Sequence, residues 1–106
     1  MGFLQRLSNW FSQGGREENL LQQAVDLAKE KQPAEAIKIY NELLRSQSAS
    51  SILKARALFN RALAYSSLKD DQRAAADLQT LVSSNDAPEN VRSAARTQLV
   101  RIRNRA

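Results

Sequence analysis

The chain has 106 residues, a formal net charge of +5, and neither cysteine nor histidine. One domain with one modest core fits that length. The missing residue types exclude disulfides, thiol nucleophiles, zinc-finger ligand sets and imidazole acid–base chemistry together. Ala, Leu, Gln, Arg and Glu dominate while Val, Ile and aromatic residues are few, so helices are expected throughout.

Residues 1–13 are expected to form an amphipathic N-terminal helix. Phe3, Leu4, Leu7, Trp10 and Phe11 follow i, i+1, i+4, i+7, i+8 spacing and line one face. Gly14-Gly15 would break that helix and give it a pivot. Five such side chains do not rest in water, and three destinations compete: the body of this chain, the groove of a partner or a second copy (a homodimer), and a membrane surface. Arg6 as the only charge in the segment suits an anionic bilayer poorly. Met1-Gly2 invites N-myristoylation, but Arg6 stands where the motif wants Ser or Thr. The segment is too polar for a signal-peptide core, and no apolar run approaches the ~20 residues of a membrane span, so a cytoplasmic protein is expected.

A second helix is expected from Arg16 to Glu30, with Glu17 and Glu18 in its first turn and Lys29 and Lys31 near its end, as the helix dipole favours. Pro33 suits the first turn of a third helix running to Arg45. Ser50 or Ser51 should cap a fourth through Leu68, and Asp70 or Asp71 a fifth ending near Ser83. Pro88 sits just inside a last, capping helix over 88–105, whose buried stripe is Val91, Ala95, Leu99 and Ile102.

The sequence says one thing twice. Leu20, Ala24 and Leu27, then a turn, then Ala36, Tyr40 and Leu43 are answered by Leu58, Ala62 and Tyr65, a turn, then Ala74, Leu78 and Leu81. Large, small, large, turn, small, large, large is the pattern of two antiparallel helices packed at an alanine. A repeat of that unit builds a stack of helical hairpins, which presents a surface more often than it catalyses a reaction.

Leu58-Phe59-Asn60-Arg61-Ala62-Leu63-Ala64-Tyr65, followed by Ala74 and Leu78, resembles the tetratricopeptide repeat (TPR). Ala24 with Ala34-Glu35-Ala36-Ile37-Lys38-Ile39-Tyr40 resembles the second helix of the same motif. The resemblance covers roughly residues 17 to 84. The family period is about 34 residues, whereas Ala24 and Ala62 stand 38 positions apart. The surplus is expected in the polar loop 46–51, where insertion is tolerated. Leu20 and Leu58 replace the family's tryptophan, and Lys31 and Lys69 its turn glycine. The resemblance implies an all-α fold: a short right-handed stack of two TPR-like hairpins and the capping helix, spanning 16–106.

In the first helix of each hairpin the apolar arc exceeds the ~100° that one packed face requires. If the resemblance holds, the surplus residues Leu21, Val25, Phe59 and Leu63 would line the concave groove that the family uses for ligands. Their alternative is ordinary core. The family subtype that clamps carboxylates also has a residue test. Asn60, followed by Arg61, matches the clamp asparagine, but Leu21 and Val25 replace the expected lysine and asparagine, so Asn60 is expected to make a structural hydrogen bond.

Arg92, Arg96, Arg101, Arg103 and Arg105 face only Glu89 within 87–106, placing +4 of the net charge there. Arg92, Arg96 and Arg103 share one side of the helix and form a basic patch. A polyanion suits such a row. Without aromatic stacking partners, nucleic acid is not the expected ligand. Cations also simply favour a helix C-terminus. The paired carboxylates Glu17/Glu18 and Asp70/Asp71 fall at a helix start and a turn, each with a structural role. No glycine-rich phosphate loop is present. A non-enzymatic adaptor with no cofactor or metal is therefore expected, binding another protein's apolar helix or peptide in the repeat groove. The alternative is a peripheral membrane- or polyanion-associated factor using the first helix or the arginines.

Overall fold

The computed structural model describes the backbone of residues 2–105 and the side chains of residues 15–105. Among the described residues five helices follow in order: α1 (Gly2–Lys29), α2 (Pro33–Arg45), α3 (Ser51–Ser67), α4 (Asp71–Ser83) and α5 (Glu89–Arg105). Gly15 interrupts α1 with φ 76° and ψ 171°, a conformation open essentially to glycine alone. The side chains of Phe3, Leu4, Leu7, Trp10 and Phe11, on which the three destinations of the N-terminal helix turn, lie outside the described residues.

Local signals set the helix starts. Pro33 occupies the first turn of α2, where its missing N–H is no loss. The Ser50 side chain accepts from the Leu53 N–H at 3.1 Å, and the Asp70 side chain accepts from the Arg73 N–H at 3.2 Å. The turns inside the two hairpins are the same turn. Lys31 N–H donates to Ala28 C=O and Gln32 N–H to Leu27 C=O; Lys69 N–H donates to Ser66 C=O and Asp70 N–H to Tyr65 C=O. Both are Schellman motifs, and each puts its lysine in the left-handed region, φ 64° at Lys31 and 66° at Lys69.

A shift of 38 positions carries α2 onto α4 and α3 onto α5, ends included. The loop after α4 also copies the loop after α2. Ser48 N–H donates to Ser46 Oγ at 3.3 Å, and Asp86 N–H donates to Ser84 Oγ at 3.2 Å. The extra residues over the family period therefore belong to the repeating unit, and are not an insertion confined to 46–51.

Two apolar clusters meet across α3. Leu21, Ala24, Ala36, Tyr40 and Leu43 pack with Leu53, Ala57 and Ala64 from one side of α3. Ala55 and Ala62 from its other side pack with Ala74, Leu78, Leu81, Ala87, Ala95, Leu99 and Ile102. Ala24 and Ala36 in one cluster, and Ala62 and Ala74 in the other, are almost wholly buried, so small side chains fill the packed core of each hairpin. Any larger residue there would force the backbones apart.

α5 is the last helix among the described residues. By the same shift, Arg96, Val100 and Arg103 stand where α3 has Leu58, Ala62 and Tyr65 and α1 has Leu20, Ala24 and Leu27. The face that would receive a further helix is charged, and Val100 lies half exposed on it.

Candidate interaction groove

Helices α1, α2 and α3 enclose a shallow groove of about 280 Å³. Val25, Ala28 and Lys29 form its α1 wall, and Asn60, Leu63, Ala64 and Ser67 its α3 wall, with Tyr40 of α2 between them. On α1, Val25, Ala28 and Lys29 follow i, i+3, i+4 spacing; Asn60, Leu63, Ala64 and Ser67 do the same on α3. The floor is apolar and the rim carries one ammonium, one amide and one hydroxyl. Tyr40 is 1% exposed, and burial pushes its phenol up to about 12.

Of the four residues expected to line the groove, Val25 and Leu63 do so. Leu21 belongs to the core between α1 and α2, at 9% exposure. Phe59 packs against the cluster between α3, α4 and α5. Ala28, Lys29 and Ser67 were not among the residues expected to line the groove. Their signal was present: each lies three or four residues from Val25 or Leu63 on the same helix face. Asn60 donates its side-chain amide to the Arg56 C=O at 2.9 Å, a structural bond within α3.

A part-buried polar network joins the two hairpins. Arg61 of α3 donates through Nε to Asp77 Oδ2 at 2.9 Å and through one terminal nitrogen to Asp77 Oδ1 at 2.8 Å. Its other terminal nitrogen donates to Asn41 Oδ1 of α2 at 2.8 Å. One guanidinium thus ties three helices in a bidentate, charge-assisted geometry, and it also lies 5.6 Å from the Tyr65 ring centroid. The hydrogen bonds to Asp77 raise the Arg61 pKa further. Arg61 and Asp77 are sixteen residues apart on different helices, so no local pattern announced the pair.

The basic patch is partly neutralised. Arg92 and Arg96 share Glu89, at 2.9 and 3.4 Å, and Arg92 also donates to the Ser84 C=O at 3.4 Å. Arg105 holds Asp71 at 2.9 Å and Ser66 at 2.7 Å, tying the end of α5 to the α3–α4 turn. Arg103 is exposed. Among the described residues no group of three or more His, Cys, Asp or Glu is placed to hold a metal ion, and no helix is long and apolar enough to cross a membrane.

An array of helical hairpins with a concave inner face is the architecture of a solenoid protein. The tetratricopeptide repeat family model matches residues 18–50 and 56–86, one hairpin each, and the chain belongs to that family. No curated protein and no solved structure matches the chain. The repeats are those of a protein–protein interaction fold.

Proposed function

We propose that this protein is a non-enzymatic adaptor that receives an apolar helix or extended peptide of another protein in the groove between α1 and α3. The observation that supports this reading best is the groove itself. Val25, Ala28 and Leu63 line it together and are only partly buried, so each keeps apolar surface that the hairpin stack leaves uncovered, beside the buried Ala64. Lys29, Asn60 and Ser67 at the rim add the few polar contacts that fix a bound segment's register. No carboxylate clamp is part of the reading, because Val25 and Leu21 leave it without its polar side chains.

The test is co-purification with a tagged wild-type chain and a Val25→Ser/Leu63→Ser variant, helicity being checked by circular dichroism. Both side chains are partly buried, so the circular dichroism control establishes that the variant is folded, and the folded variant should lose a specifically enriched protein. A folded variant that retains the same protein would overturn the proposal.

A further inference from the structure

A second cleft lies at the opposite end of α3 from the groove. In the first hairpin Glu17 reaches across to the loop after α2. Its carboxylate accepts from Ser46 Oγ at 3.2 Å and from Ser48 Oγ. These bonds, that from Ser48 foremost, hold the Glu17 pKa below its ordinary value, with the charge of Arg16 adding to them. The residue 38 positions on from Glu17 is Ala55. Where the first repeat has a carboxylate, the second has a cleft of about 220 Å³, walled by Lys54, Leu58, Leu81, Ser84, Asp86 and Ala87.

The walls of this cleft correspond to the surroundings of Glu17. Lys54 takes the position of Arg16 and Ser84 that of Ser46. Ser46 Oγ accepts the Ser48 N–H and spends its own proton on Glu17. Ser84 Oγ accepts the Asp86 N–H in the same turn and lines the cleft beside Ala55, so its hydroxyl is free to donate to a ligand there. Leu58, Leu81 and Ala87 give a methylene-bearing ligand an apolar floor. One element differs. Asp86 stands at the position of Ser48, replacing a donor by a like charge.

We propose that the cleft beside Ala55 receives the side-chain carboxylate of a glutamate or aspartate presented by a partner protein, in the manner of Glu17 in the first repeat. The ammonium of Lys54 and the hydroxyl of Ser84 bind the carboxylate, and the leucine floor seats its methylenes. Asp86 weakens the site for an isolated anion, which restricts it to acidic residues delivered by a docked partner. This site is separate from the groove and does not depend on it.

The atoms that Ala55 lacks relative to glutamate are those of acetate, which makes acetate the direct probe. Amide resonances of the ¹⁵N-labelled full chain are followed while acetate replaces chloride at constant ionic strength. Ser84, Asp86 and Ala87 should shift together with a midpoint on the order of 10–100 mM, the range open to so small a ligand. Asp86→Ser restores the first-repeat residue and should tighten binding roughly threefold, the effect of removing one partly screened like charge. Ala55→Glu should abolish the response, and so should Ser84→Ala, which serves if Ala55→Glu does not fold. A capped Ala-Ala-Glu-Ala-Ala peptide should move the same amides, and its glutamine counterpart should not. An absent acetate response, an unchanged response in a folded Ala55→Glu or Ser84→Ala variant, or an acetate response that the glutamate peptide fails to reproduce would each overturn the proposal.

Discussion

Lys31 and Lys69 hold the most direct test of how the sequence sets the fold. Both lie at φ near 65°, where an L side chain costs roughly 1–2 kcal/mol. Glycine removes that strain but loses more freedom on folding, a cost of about 0.5–1 kcal/mol. The balance is a gain of roughly 0.5 kcal/mol per turn. The two turns cap different helices and share no hydrogen-bond partner, so the effects should add. Lys31→Gly/Lys69→Gly should therefore raise stability by about 1 kcal/mol, a rise in Tm of about 4–8 °C for a domain of this size. Thermal unfolding by circular dichroism at fixed pH and salt measures it, with each single variant giving about half. Both lysine side chains are exposed, and the loss of their favourable charge near the helix C-termini, roughly 0.3–1 kcal/mol at low ionic strength, is suppressed by recording the scans in about 1 M salt. A double variant with unchanged or lower Tm would refute the assignment of strain to these turns.

Other outcomes follow from particular contacts. Asp77→Ala should cost about 1.5–3 kcal/mol by removing two charge-assisted hydrogen bonds from the part-buried Arg61 guanidinium, and a cycle with Arg61→Met should recover part of that loss. The Glu17 pKa is lowered on folding, so its contribution is complete above the ordinary value of 4.5 and lost as pH falls through the folded value. Glu17→Gln should flatten the acid limb of the stability–pH profile and leave its shape near neutrality unchanged. Arg103→Gln should weaken retention on a heparin column more than Arg92→Gln, because Arg92 is committed to Glu89 and the Ser84 carbonyl while Arg103 is exposed. Any such retention should vanish steeply with salt.

What was legible in the sequence was local. Pro33, Ser50 and Asp70 mark helix starts because proline and short oxygen-bearing side chains satisfy or remove the first unpaired N–H groups. Ala24, Ala36, Ala62 and Ala74 mark the packed core of each hairpin because small side chains let its helices approach closely. The wide apolar arc of α3 was legible as a surplus but not as a direction. That helix is packed on two sides, so Phe59 serves the following hairpin while Leu63, four residues on, faces the groove. Periodicity fixes which residues share a face, not which neighbour covers it. The arginines of α5 gained their explanation only through the repeat register, which sets Arg96 and Arg103 where the earlier helices carry packing residues. The Arg61–Asp77–Asn41 network and the Glu17–Ser48 bond join residues far apart in the chain, and no spacing rule reaches them.

The central claim is that the concave face between α1 and α3 meets a partner. Site-specific photo-crosslinking tests it most directly, with a photoreactive residue placed in turn at Val25 and Leu63 in the groove and at Thr97 on the exposed face of α5. The account expects one and the same protein to be captured from Val25 and Leu63 and not from Thr97. Capture of that protein from Thr97 alone, or its absence from both groove positions, would contradict it.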